Sequence, residues 1–363
     1  MTHTLATVHA PSQRQRGYQP GRRRLLQAGA AAAGLGLLSG CSRIASLRSS
    51  GPRRIGALSV ENPVVQSWMA VWEKRVAELA GARSEQVIVE GRIAADNDGF
   101  DVLVKELLDK RVEVIMAAGW VAMDAAKRHT STVPIVGISS DPVGTGLVQS
   151  FQRPGGNITG LTTLSVPLAA KRVEYFRETI PGLQRTGVMW NSLVPDRKAE
   201  FAETEKALAT LKMDLLSLPV QRPADFIPAF EEAKAWRADG LILLFDQMTF
   251  PAATAHAYSP DPNIDPLAYL MAKYSTPAVC DVREWAEGSG GLTTYGPDFP
   301  WLFTRAAEMT DKILTGTRPA DIPIEQPSDF ILTINLDVAR QMNIAIPESA
   351  QRLAHNIYQK RPS

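Results

Sequence analysis

The stretch VEVIMAAGWVAMDAAKRHTSTVPIVGIS, residues 112–139, decides the fold. VEVIMAAG is a short apolar run closed by a glycine, the pattern of a strand buried on both faces. WVAMDAAKRH reads as a helix, and VPIVGIS as a second strand of the same apolar kind. A helix between two such strands makes a right-handed crossover, so the strands lie parallel in one sheet.

The alternation continues outward. Residues 53–60 and 86–93 read as strands, and residues 64–81 and 100–111 as helices, the first stopped by Gly81. NITGLTTL, residues 157–164, is a further strand. The series then repeats with helices at 167–180, 197–212, 223–237 and 301–316. Its strands fall at 185–191, 213–220, 238–246, 276–282 and 290–296. Two such series predict an α/β chain of two doubly wound parallel-sheet lobes, with loops at the strands' carboxyl ends facing across a cleft. Residues 248–273 carry several prolines and no periodicity in SPDPNIDP. They read as a loop on the rim of the second lobe, either a surface insertion or a lid.

The N-terminal region carries an address. In RRRLLQAGAAAAGLGLLSGC, residues 22–41, arginines precede an apolar run and small residues lead to Cys41. The run is too short for a membrane span, which needs roughly 20 apolar residues. The layout is that of a secretory signal, and Arg22 and Arg23 with Arg24, Leu25 and Leu26 fit the twin-arginine export pattern. LLSGC resembles a bacterial lipobox, in which the Cys41 sulfur takes the lipid. Multi-chain lipidation is strong enough to hold a soluble domain at a membrane. Residues 42–52 read as a tether.

About 320 residues follow Cys41 in a chain of 363, room for two lobes. The net charge of +1 points to no nucleic-acid partner. With Cys41 lipidated, Cys280 has no intramolecular partner, and in TPAVCDV it reads as a buried structural thiol. The histidines, His3, His9, His129, His256 and His355, are scattered, and neither a metal nor a cofactor is expected. No nucleophile elbow, P-loop or HExxH is present. DNDGFD, residues 96–101, has Phe100 where a calcium loop needs an oxygen ligand and no Glu to close it, and reads as a helix N-terminal turn.

Longer motifs join these pieces. PIV, DPVGTGLV, RPGGNITG and AAKR in residues 133–182, with GGLTTYG, ILTGTRPADIP and QPSDFILTIN in residues 290–349, resemble the ABC-transporter substrate-binding proteins of the tryptophan/tyrosine-binding type. The resemblance covers roughly residues 53–349. It implies a type I periplasmic-binding-protein fold whose lobes are joined by three crossings, near residues 161–167, 281–296 and 325–330. Lobe 1 would hold residues 53–164 and 291–325, and lobe 2 residues 165–290 and 326–360. Helix 301–314 would return to the first lobe. The function implied is that of a periplasmic, lipid-anchored receptor. It would deliver a small organic ligand, an amino acid among the candidates, to an inner-membrane ABC permease driven by a separate ATPase. A sensor or adaptor for a signalling receptor and an exported α/β enzyme are the alternative readings.

Candidate ligand residues lie after strand ends. Asp141 and Asp246 suit a ligand ammonium, although Asp141, followed by Pro142, suits helix capping equally. Ser59, Thr162, Asn191 and Tyr295 suit hydroxyl or amide contacts. Trp120 and Trp190 are either packing or cleft aromatics. Gly144, Gly146 and the RPGGN turn read as structural. The loops SVENP (residues 59–63) and NSLVPD (residues 191–196) depart from the family's usual small-residue and Asn-Pro patterns, so they bear on which ligand is chosen.

Overall fold

The computed structural model describes residues 51–94, 99–246, 266–288 and 290–359. The export segment, Cys41 and the tether up to residue 50 lie outside the described residues. The first sheet holds β1 (Arg53–Val60), β2 (Val87–Ala94), β3 (Val114–Ala118), β4 (Ile135–Ser139) and β5 (Ile158–Thr162). Its order is β2-β1-β3-β4-β5, with every pairing parallel. Every residue of β3 and β4 is buried, whereas edge strand β2 is largely half-exposed. The helices of this lobe are α1 (Pro63–Gly81), α2 (Phe100–Asp109) and α3 (Trp120–His129).

The second lobe begins with α4 (Ser165–Thr179), β6 (Arg185–Asn191), α5 (Pro195–Thr210), β7 (Asp214–Val220), α6 (Phe226–Trp236) and β8 (Gly240–Leu243). It continues through α7 (Pro266–Tyr274), β9 (Ala278–Cys280), α8 (Arg283–Gly288) and β10 (Thr293–Pro297). The chain then forms α9 (Phe299–Leu314), β11 (Phe330–Asn335), α10 (Leu336–Gln341), α11 (Glu348–Leu353) and β12 (Asn356–Tyr358). The second sheet runs β12-β11-β10-β9-β8-β6-β7. Its pairings are parallel except β10 with β11. The exception follows from the path: β10 runs out to the cleft, α9 packs on the first lobe, and β11 enters from the cleft side in the opposite direction.

Three expectations change here. Residues 293–297 belong to the second lobe, because β10 is hydrogen-bonded between β9 and β11. The second crossing therefore comes at Asp298, whose side chain caps α9 by accepting the Trp301 N–H. Residues 266–273, expected as loop, are helical. Pro266 occupies the first turn, and Leu267, Leu270 and Met271 bury one face. The departure at residues 59–63 does local work: the Asn62 side chain accepts the N–H groups of Val64 at 2.9 Å and Val65 at 3.1 Å, starting α1.

The first crossing is the short Thr163–Leu164 link, with Leu164 in a left-handed conformation (φ 55°) and its N–H held by Thr162 Oγ1 at 3.1 Å. The third leaves β5 at Glu325, whose backbone exchanges hydrogen bonds of 3.0 Å with Gly160 and Thr162. Arg305 of α9 holds the Glu325 carboxylate with both arms, at 2.8 and 2.7 Å. Helix α9 is bound to the first lobe through α1: Trp72 is wholly buried and its indole N–H donates to Thr310 at 3.3 Å. Trp72→Ala should cost about 3–5 kcal/mol of stability, the range for truncating a buried Trp, read as a drop in the urea midpoint. A cost below about 1 kcal/mol would contradict this packing role.

Candidate functional site

A pocket lies where strands β3 and β4 of the first lobe end opposite β6, β8 and β9 of the second. The space between its walls, open solvent at the mouth included, is about 500 Å³. The first lobe contributes Gly119 and Trp120 at the start of α3, Ser139 and Ser140 at the end of β4, and an aromatic group from α1 and α9. In that group Trp68 stacks on Phe299 with centroids 4.2 Å apart and planes 7° from parallel. Phe245, just past β8, meets both rings edge-on at 6.2 Å from the other side of the cleft. The second lobe adds Asp196 and Arg197 at the start of α5, Asp246 after β8 and Asp281 after β9.

The lobes touch directly. Ser140 N–H donates to Asp196 at 3.3 Å, Arg197 donates to the Ser140 hydroxyl, and the Trp68 indole N–H donates to Glu284 of α8 at 2.9 Å. The conformation is therefore a closed one.

Charge is concentrated under the pocket. Glu200 is fully buried between Arg172 at 2.5 Å and Arg197 at 2.6 Å. Arg197 also donates to the Phe245 carbonyl at 2.8 Å and meets Asp196 at 3.3 Å. Burial works against the Arg197 charge, but Glu200 and Asp196 outweigh it and hold its pKa above the ordinary arginine value. Arg172 donates to the Tyr295 carbonyl at 3.2 Å and lies 3.9 Å from Asp281. Asp281 Oδ2 accepts the Ser165 hydroxyl at 2.8 Å, while its Oδ1 is buried without a hydrogen-bond partner. Among the described residues, the carboxylates Asp196, Glu200, Asp246 and Asp281 outnumber the guanidiniums of Arg172 and Arg197 in this cluster. A buried excess of carboxylate favours a cation in the pocket. Among the described residues, no three His, Cys, Asp or Glu side chains could together hold a metal ion.

The close approach of β9 to β10 sets where Asp281 stands. A Cβ on Gly296 would come within 2.0 Å of the Asp281 carbonyl oxygen, so only glycine lets the two strand ends lie this near.

Of the residues expected from sequence, Trp120 and Asp246 line the pocket. Asn191 stands behind it, fully buried, donating to Asp246 Oδ1 at 3.0 Å and accepting the Leu193 N–H at 3.0 Å. The others lie outside the lining. Asp141 accepts the Gly144 N–H at 2.7 Å and closes the turn in which Pro142 is buried. The Ser59 hydroxyl accepts from Gln66 at 2.9 Å, and the Thr162 hydroxyl donates to the Ser140 carbonyl at 2.7 Å. Trp190 stacks on Phe201 at 4.4 Å and donates to Ser217 at 3.0 Å. Tyr295 packs edge-on against Tyr175 at 4.8 Å, because it occupies the face of β10 that meets α4. Cys280 is buried, and desolvation pushes its thiol pKa well up, which suits structure rather than reactivity. Trp68, Arg197, Phe245, Asp281, Phe299 and Phe303 were not foreseen. For Asp281 a signal existed: it follows β9 as Asp246 follows β8.

Comparison with known proteins adds an independent line. The family model described as ABC transporter substrate binding protein matches residues 80–357. A curated relative, the tyrosine-binding protein of Clostridioides difficile (strain R20291), is 21% identical over 244 residues. The match spans 67% of this chain and 66% of that protein, so just under two thirds of the relative's length is covered. Among solved structures, the ABC domain in complex with L-Trp from Streptococcus pneumonia has a TM-score of 0.74 at 20% identity, covering 85% of this chain and all of that one. A ligand-free, open substrate-binding protein with adhesive properties from Clostridium difficile has a TM-score of 0.56 at 17% identity, with the same coverage. At these identities the structural likeness is one of fold, the type I periplasmic-binding architecture.

Arg172→Met would leave Glu200 with Arg197 as its one arginine partner in this cluster and remove the nearest guanidinium from Asp281. The expected loss is about 3–5 kcal/mol in unfolding free energy, the cost of breaking a buried ion pair by one partner. An unfolding curve superimposable on the parent's would contradict the assignment of this cluster as the floor of the pocket.

Proposed function

The chain belongs to the family of ABC transporter substrate-binding proteins, which are solute receptors rather than enzymes. From that premise we propose that it captures an amino-acid-like solute, with an ammonium group and an apolar, aromatic body, in the interlobe pocket. The closed lobes then present the ligand to an inner-membrane ABC permease powered by a separate ATPase. Cys41 carries the lipid that holds the receptor to a membrane outside the cytoplasm, after export directed by Arg22 and Arg23.

One observation carries the ligand reading: Asp281, whose buried Oδ1 has no hydrogen-bond partner, lines a pocket walled by Trp68, Phe245, Phe299 and Phe303. An ammonium group supplies the missing hydrogen bond, and the aromatic rings take the apolar body. Trp120 and Asp246 also line the pocket and belong to the proposed site, with Asn191 positioning Asp246. The relative that binds tyrosine and the neighbour solved with L-Trp support the same ligand class. Ligand binding favours closure because the pocket's groups meet around the ligand only when the lobes are together.

The test is titration calorimetry of the region after Cys41 with L-tryptophan and L-tyrosine. Asp281→Asn keeps the shape but removes the charge, and it should weaken binding about a hundredfold, the scale of a lost charge-assisted hydrogen bond in a buried site. Equal affinity in parent and variant would remove Asp281 from the site.

A further inference from the structure

Trp68 belongs to α1 of the first lobe, yet its hydrogen bond is to the second. The indole is 1% exposed. Its plane is set from its own lobe: Phe299 stacks on it at 4.2 Å, and Phe303 lies 5.8 Å away, tilted by 38°. That packing holds the ring in the orientation whose N–H donates to Glu284 of α8 at 2.9 Å. From the second lobe Phe245 completes the contact, edge-on at 6.2 Å.

The acceptor is held as firmly as the donor. Glu284 lies between Arg283, which comes within 3.8 Å of Asp298 at the second crossing, and the buried Trp285. The Asn335 side chain donates to the Ala286 carbonyl at 2.5 Å and fixes α8 against the end of β11. Glu284 Oε2 is buried without a hydrogen-bond partner, so the carboxylate depends on the Trp68 N–H at its other oxygen. Both partners are positioned before they meet, and little side-chain freedom is lost when they do. Every group in this contact is the protein's own, so the contact favours closure whatever solute the pocket takes.

We propose that Trp68 and Glu284 form the latch of the cleft. Opening must break their hydrogen bond and draw Phe245 off the edge of the Trp68 ring. The latch sets how readily the closed lobes part, which goes beyond the ligand reading given above. Glu284 stands outside the pocket lining, so the latch can be altered without touching a ligand-contact residue.

Hydrogen exchange at the Ser140 N–H, measured on the full chain and its variants with no solute added, tests the latch. That N–H bonds Asp196 across the cleft, in a contact that does not involve Glu284, so it exchanges from open molecules. Glu284→Met removes the acceptor and strands the Trp68 N–H, and should speed this exchange about tenfold. Glu284→Gln keeps an oxygen that can accept the bond and should stay within about threefold of the parent. Amides of the fully buried strand β3 should exchange as in the parent in both variants, which separates opening of the cleft from a general loss of stability. Unchanged exchange at Ser140 in Glu284→Met, an equal rise in β3, or a Glu284→Gln variant as fast as Glu284→Met would overturn the latch. Each of those results leaves the ligand reading standing, because no ligand enters the experiment.

Discussion

Glu200, fully buried and gripped by Arg172 and Arg197, is the constraint on which the pocket depends. The carboxylate ties α4 to α5, and its two arginines reach the carbonyls of Tyr295 in the middle of β10 and Phe245 just past β8. One ionic cluster thus ties together the two strands that flank β9. Its desolvation is costly, and only the dense set of charge-assisted bonds offsets it. The outcome is a rigid floor from which Asp281 and Asp246 project. Arg197 extends the cluster across the cleft to Ser140, so the floor also registers whether the lobes are together.

The crossings complement that rigidity. Two of them are very short, Thr163–Leu164 and Asp298, and the third is clamped where Arg305 holds Glu325. Motion of one lobe against the other is thereby confined to a few backbone torsions, as a hinge requires. Among the described residues, direct hydrogen bonds between the lobes join Ser140 with Asp196 and Arg197, and Trp68 with Glu284. A ligand that adds further bonds to both walls can therefore change the balance between open and closed states.

Much of the fold was legible in the sequence because parallel strands buried on both faces are continuous apolar runs, as in β3 and β4. Lobe membership was less so. Residues 293–297 read as a strand, but whether that strand pairs in the first or second sheet depends on where the chain crosses, which local pattern does not encode. Helix α7 was hidden by the proline-rich stretch before it. In the site, Trp120 and Asp246 were found by a topological rule, that ligands gather at strand carboxyl ends. Asp281 obeys the same rule but was masked by the apolar run TPAVCDV, and Trp68 looked like any core residue of an amphipathic helix. Tyr295 shows the limit of a motif: alternation along β10 turns it onto α4, while Gly296 beside it controls the approach of Asp281.

The proposed receptor holds its ligand on Asp281 beneath closed lobes. The most direct measurement is a crystal structure of the region after Cys41 grown with L-tyrosine or L-tryptophan. The amino group should lie within hydrogen-bonding distance of Asp281 Oδ1, with the ring among Trp68, Phe245 and Phe299. A ligand bound outside this pocket, or seated in it with its amino group turned away from Asp281, would contradict it.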